Sequence, residues 1–186
     1  MMRPATNPIG AARAPRAQRG LTMIELLVTM TVLGLLAMVA VPSFNEAILS
    51  NKLSSFSNTF MASAQLARSE AIKRNASMTM CRSADGTSCA SSGGWQQGWI
   101  VFNDRNGDGD IDSDETRVLH QQSIGSEYLF TGDQYTLVFR ATGLASTSAS
   151  LKLCKATPSP GSQERTLSVS ATGRVSADVT KTGTCS

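Results

Sequence analysis

Histidine is nearly absent from this chain: His120 is the only one. It falls in a strand-like stretch with no cysteine near it in sequence, so neither a histidine metal centre nor the usual imidazole general base has a foundation. Serine is plentiful, yet none lies in a G-x-S-x-G elbow,. No Walker loop or G-x-G-x-x-G turn occurs, and Gly107 and Gly109 are flanked by acids that would repel phosphate,. Aromatic residues make up 5% of the chain and are not clustered as a platform for stacked bases,. Of the two tryptophans, Trp99 reads as core and Trp95 as a rim residue. Catalysis therefore has little support. Acids are also missing from residues 1–20, which hold Arg3, Arg13, Arg16 and Arg19. Removing those four from the 17 basic residues leaves 13 against 14 acids, so the basic balance belongs to the leader, not to the body,. Long apolar runs are scarce as well. There is one, and it follows Gly20.

That run is what the chain does have. From Leu26 to Asn45 no residue carries a charge. About twenty such residues suffice to cross the hydrocarbon core as a helix. Arginines before the run and none soon after place the N-terminus in the cytoplasm. A signal peptide or a plain anchor would account for this much. Neither accounts for Glu25, since a carboxylate just inside such a segment costs on the order of a few kcal/mol. Nor does either account for the glycine abutting the run, and no A-x-A-like cleavage site follows it.

The stretch "RGLTMIELLVTMTVLGLLAMVAVPSF" resembles the class III leader of type IV pilins and type II secretion pseudopilins. The resemblance implies that a prepilin peptidase cuts between Gly20 and Leu21 and that Leu21 is then N-methylated. Leu21 departs from the phenylalanine or methionine more common there. Glu25 becomes the fifth mature residue, where the family has its glutamate, and Pro42 falls at a helix-kinking proline. In such filaments the apolar helices pack in a dry bundle. There the Glu25 carboxylate would be offset by the amino-terminus of a neighbouring subunit, a pair that is correct in only one register. The implied setting is the inner membrane, crossed once, with the head in the periplasm and the subunit in a pilus when assembled.

From Phe44 the apolar positions recur with a helical period: Phe44, Ile48, Leu49, Leu53, Phe56, Phe60, Ala64, Ala67 and Ala71,. The spacing predicts one amphipathic helix to about Asn75, roughly 80 Å from Leu21. Beyond it "SMTMCRS", "GWIVFND", "TRVLHQQSI", "YTLVFRA", "ASLKLCK", "RTLSVS" and "GRVSADV" read as strands, and "KATPSPGSQE" as a loop,. The expected fold is α+β, pilin-like, with a long N-terminal helix packed on an antiparallel β-sheet head. The expected division is 1–20 leader, 21–75 helix with a transmembrane part at 21–44, and 76–186 head.

The head resembles the GspH/FimT family of minor pilins and pseudopilins, through "ARSEAIKRN", "GWIVFNDRNGDG", "LCK" and "SATGRVSADVTKTGTC" in the family's order. The resemblance implies a low-copy subunit at or near a filament tip, helping to prime assembly, with other pilins or pseudopilins as partners. It leaves type IV pilus and type II secretion both open. Some FimT-like members bind DNA during natural transformation through a G-R-x-R motif. Here Gly173 and Arg174 match, while Ser176 replaces the second arginine. Residues 140–186 hold six basic residues against Glu164 and Asp178. Arg174, with Lys181, Arg165 and Lys155, is thus the candidate set for double-stranded DNA. The alternative is a mildly basic surface that meets a neighbouring pilin.

Two further patterns stand out. "DRNGDGDIDSDE" fits a calcium loop, with Asp104, Asn106, Asp108, Asp110, Asp112 and Glu115 as ligands and Gly109 at the turn. A solvated hairpin tip is the competing reading, because strands and not helices flank it. No other cofactor is implied. All four cysteines lie beyond the apolar run, on the exported side, and an even count there favours disulfides. Four cysteines allow three connectivities. Sequence proximity favours Cys81–Cys89 and Cys154–Cys185.

Overall fold

The structure is a computed structural model that describes residues 20–156, 163–180 and 185. The expected leader arginines and Lys181 lie outside these residues, as does most of the "KATPSPGSQE" loop. The chain divides into two compact units, with the boundary between Val41 and Pro42.

In the first unit the dominant element is the start of helix α1, Met23–Arg74. Its beginning is a capping box. Thr22 Oγ1 accepts from the Glu25 backbone N–H at 3.3 Å, and Glu25 Oε2 accepts from the Thr22 N–H at 3.3 Å,. Reciprocal bonds of this kind satisfy two of the orphan donors at a helix start. The apolar side chains that follow are all exposed, Leu33 at 67% and Met38 at 76% among them. Among the described residues this is the one helix long and apolar enough to cross a membrane.

The second unit carries the remainder of α1 and eight strands. The helix ends as its sequence requires. Lys73 and Arg74 occupy the last turn, where cations complement the helix dipole. Asn75 takes a left-handed φ of 50°. Asn75 N–H then bonds to Ile72 O and Ala76 N–H to Ala71 O, the paired bonds of a Schellman cap. The buried face is Leu49, Leu53, Ser57, Phe60, Ser63, Ala64, Ala67 and Ala71. Its two serines cost little, because each hydroxyl donates to the carbonyl four residues back,. Phe44 and Ile48, expected on this face from their spacing, are 68% and 54% exposed. The helical period does not break at Leu49. The head simply begins there.

The strands are β1 Met78–Arg82, β2 Trp99–Asn103, β3 Arg117–Gln121, β4 Tyr128–Gly132, β5 Thr136–Phe139, β6 Ala149–Lys155, β7 Glu164–Val169 and β8 Val175–Thr180. They form two antiparallel four-stranded sheets, ordered β3-β2-β1-β5 and β4-β6-β7-β8. The class is α+β, as the sequence patterning implies. The head, however, has two sheets where one was expected, and β4 is an additional strand. "YLFTG" is short and bounded by Gly125 and Gly132-Asp133, so it reads as a turn until β6 pairs with it along its length.

Alternation places one face of each sheet on the core. Met78, Met80, Trp99, Val101, Leu137 and Phe139 come from the first sheet, and Phe130, Leu151, Leu153, Leu167 and Val169 from the second. Phe60 joins them. Its ring meets Trp95, Trp99 and Phe130 edge-on at 5.2, 5.4 and 5.0 Å, a geometry that aromatic quadrupoles favour. Trp95, expected at a rim, is fully buried. It sits in a single 3-10 turn, Trp95–Gln97, and its buried indole N–H is satisfied by Gln134 O at 3.0 Å,, whereas the equally buried Trp99 indole N–H finds no acceptor among the described residues.

Candidate functional site

The N-terminal constellation is Gly20, Leu21 and Glu25. Gly20 has open space around its Cα, and Leu21 is 76% exposed. Both would be reachable by a peptidase. Among the described residues Glu25 is bound only to Thr22, through the capping box and the Thr22 hydroxyl at 3.4 Å. No cation of the described chain neutralises it. The capping role was not foreseen, although "T-x-x-E" before an apolar run is its signature.

The acidic loop, residues 104–116, has a clear structural task. Asp104 is 1% exposed. Its Oδ1 accepts from Gly107 N–H at 2.6 Å, and its Oδ2 from Thr79 Oγ1 at 2.8 Å and Gly109 N–H at 3.2 Å. Glu115 closes the loop by accepting from the Arg105 and Asp112 N–H groups. The Asn106 side-chain amide donates to Asp108 and Asp112, 2.9 Å each. Among the described residues no three acidic, histidine or cysteine side chains converge as a metal site. In this arrangement Asp104 and Glu115 serve the loop's own backbone, and no chemistry is derived through a metal. The loop instead brings Ile111 over Ile100, Phe102 and Cys81, a small apolar cluster on the outer face of the first sheet.

Asp85 organises the neighbouring loop. The Thr87 and Ser88 backbone N–H groups donate to it, and together with the Ser88 hydroxyl they hold its carboxyl well below the usual carboxylate range,. Sulfurs of Cys81 and Cys89 lie 1.99 Å apart and bind this loop to β1. Those of Cys154 and Cys185 lie 1.92 Å apart.

The four expected DNA contacts are not brought together. Arg165 is 4% exposed. Its guanidinium donates to Ser50 O, Ser50 Oγ and Ser54 Oγ on α1 and to Glu164 O. It is corrected from a nucleic-acid contact to a clamp between β7 and the helix. Burial lowers its pKa,. Lys155 is half-buried, and Lys181 lies outside the described residues. Only Arg174 is exposed. It lines an open groove of about 620 Å³ floored by Ser150, Ser168 and Ser176, which stand in register across β6, β7 and β8. Asp133 and Asp178 line the same groove.

Arg174 follows a turn that the sequence suggests, but the twin of that turn was not read from the sequence. "RATGL" at 140–144 and "SATGR" at 170–174 are the same turn twice. Gly143 N–H bonds to Arg140 O and Arg140 N–H to Leu144 O, at 2.8 and 2.9 Å. Gly173 N–H bonds to Ser170 O and Ser170 N–H to Arg174 O at the same two distances. Both glycines have φ in the left-handed region, +78° and +74°, where a side chain would be strained. The turns nest, since Ala145 N–H donates to Ala171 O at 3.1 Å. Arg68 of α1 closes them, its Nε donating to Gly143 O at 2.9 Å. The repeated "ATG" was the available signal.

A long apolar helix start, a buried helix half and a two-sheet antiparallel head define a pilin-like protein. Matches to known families and structures agree. Residues 15–41 match the prokaryotic N-terminal methylation motif, and residues 57–173 match the type II transport protein GspH family. The chain belongs to that GspH family, a family of minor pilins and pseudopilins. The single membrane-length helix accords with the single-pass inner-membrane topology of pilins. In fold the head is similar to the type IV minor pilin FimU of Pseudomonas aeruginosa, at 21% identity and a TM-score of 0.54, over 69% of this chain and 89% of that one. It is similar too to the minor pseudopilin EpsH of the Vibrio cholerae type 2 secretion system, at 11% identity and a TM-score of 0.50, over 69% and 97%. No curated protein sequence matches the chain.

Proposed function

We propose that the chain is a minor type IV pilin. It is cut after Gly20, methylated at Leu21, held in the inner membrane by residues 21–44, and incorporated into a pilus near its tip, where it primes assembly. The observation that carries this reading is Glu25, the one charged group at the head of a charge-free apolar segment, with no cation beside it among the described residues. A neighbouring subunit's amino-terminus would supply that cation only in the correct register. Prepilin peptidase and other pilins are the implied partners. A type II secretion minor pseudopilin is the same device in another machine, and deletion distinguishes them by loss of piliation or loss of secretion. Mass spectrometry of the membrane-extracted chain tests the processing step. A methylated terminus at Leu21 is expected, and a terminus beyond residue 40 would refute it.

A second reading, DNA reception, is favoured by one observation: the exposed Arg174 side chain has no partner among the described residues. Two acids in its groove and the burial of Arg165 weigh against a broad phosphate footprint,. A low-salt gel shift of the head with duplex DNA, wild type against Arg174→Gln, decides. Binding that falls in the variant supports DNA reception, and absent or equal binding removes it.

A further inference from the structure

The twin turns create a surface whose composition is unusual for a free one. Arg68 reaches the Gly143 carbonyl through Nε, and its remaining guanidinium nitrogens have no partner among the described residues. Arg140 and Arg174, at the feet of the two turns, are exposed. Their side chains make no hydrogen bond or ion pair among the described residues. The nearby acid on the helix, Glu70, is already paired with Arg74 at 2.6 Å and Lys73 at 3.5 Å. Three guanidiniums therefore share one end of the head; no described carboxylate is paired with any of them, and the acids nearest Arg174, Asp133 and Asp178, line the groove on its other side along β6–β8. Between the guanidiniums are two large apolar side chains, Ile72 at 53% and Leu144 at 45% exposure. They belong to the same spot, because Ile72 packs where a Cβ on Gly143 would stand, 2.9 Å from its Cδ1.

Arginine beside exposed aliphatic side chains is the composition of a protein interface, in which arginine is enriched and an apolar centre is ringed by polar groups. A polyanion alone would use the cations and leave Ile72 and Leu144 wet. We propose that this end of the head, at the C-terminus of α1, docks an acidic face of another filament subunit, with an apolar side chain of that partner seated on Ile72 and Leu144 and its carboxylates on Arg68, Arg140 and Arg174. The proposal rests on the filament-subunit reading. It adds the surface, its chemistry and the chemistry of the face that fits it. The nested turns keep the surface in shape before binding, so little ordering is needed on contact.

The test is site-specific photo-crosslinking in the full chain, expressed in its own cells, with p-benzoylphenylalanine at Leu144 and, separately, at Thr142. A third probe at Val28 in the apolar segment reports incorporation independently. The expected result is a crosslink from the head positions to another filament subunit. The linked peptide should carry an apolar residue flanked by Asp or Glu. The double reversal R140E/R174E should lower the yield about tenfold, the usual order for losing interface arginines, and replacing the partner's acids by arginine should restore it. A crosslink to nucleic acid, a linked peptide without acids, or a yield unmoved by the reversal overturns the proposal. Links from Val28 without any from Leu144 or Thr142 also overturn it, and leave the subunit reading standing. No link from any of the three positions removes both.

Discussion

Phe60 offers the sharpest test of how the helix is held to the head. Its side chain is fully buried and touches Trp95, Trp99 and Phe130 edge-on. Trp99 belongs to one sheet and Phe130 to the other, so a single ring ties α1 to both. Phe60→Ala removes its transfer free energy and leaves a cavity that the surrounding rings cannot close. A cost of about 3–5 kcal/mol is expected, against a total of about 5–15 kcal/mol for a domain. With a urea slope of roughly 2 kcal/mol per M, the midpoint should fall by about 2 M. The two tryptophans in contact with the ring provide the fluorescence signal. Phe44→Ala is the control. It lies on the same helical period but is 68% exposed, so its cost should stay within about 0.5 kcal/mol. The measurement is urea unfolding of residues 45–186, with Phe44→Ala compared in a fragment beginning at Pro42. A Phe60→Ala loss under about 1 kcal/mol, or equal losses for the two variants, would refute the packing argument.

Arg165→Ala should destabilise the head by about 1–3 kcal/mol, since four acceptors lose a charged donor,, whereas Arg174→Gln should leave the thermal midpoint unchanged; calorimetry separates them. Breaking Cys154–Cys185, with 31 residues of separation, should cost about 3–4 kcal/mol, and breaking Cys81–Cys89, with 8, about 2–3 kcal/mol,; near-equal losses of about 4–5 kcal/mol for serine variants unfolded in urea would indicate crossed pairs. Asp85 has a folded pKa below its unfolded value of 3.8, so its contribution is present above that pH and is lost as pH falls through the lowered folded value. The stability gap between wild type and Asp85→Ala should therefore be constant from pH 7 to about 5 and shrink below about 3.8, and a gap that widens in acid would contradict the hydrogen bonds drawn to it. Glu25→Ala should still be cleaved yet enter filaments poorly, read as variant subunit in sheared pili against membrane; normal incorporation rules out the charge-pair account.

What was legible in the sequence followed from period and punctuation. The apolar run and Glu25 stand out because charge is absent around them. The helix and seven strands show in alternation and in Gly, Asp and Ser breaks. What was not legible depended on partners distant in sequence. Strand β4 is recognisable only once Leu153 and Cys154 lie opposite Phe130 and Leu129. Arg165 reads as one more surface cation, because nothing near it in sequence reveals Ser50 and Ser54 across 111–115 residues. Trp95 reads as rim because its indole partner, Gln134, is 39 residues away. The acidic loop matched a metal-ligand spacing. Spacing does not say whether the oxygens converge on a centre or are taken by backbone N–H groups, and here the second holds.

Both disulfides lie outside the principal core, on the opposite faces of the two sheets. Cys81 faces away from Met78 and Met80 on β1, and Cys154 away from Leu151 and Leu153 on β6. Every side chain in the principal core can thus find its place before any sulfur is oxidised. The expected order follows: a head newly delivered to an oxidising compartment collapses first, with its thiols aligned by the sheets, and oxidation then fastens the outer coverings. A chain kept in a reducing cytosol should accordingly hold its tryptophans as buried as the exported one. It should differ at its periphery, where the loop over Ile100 and Phe102 and the tail at Cys185 would open to protease first.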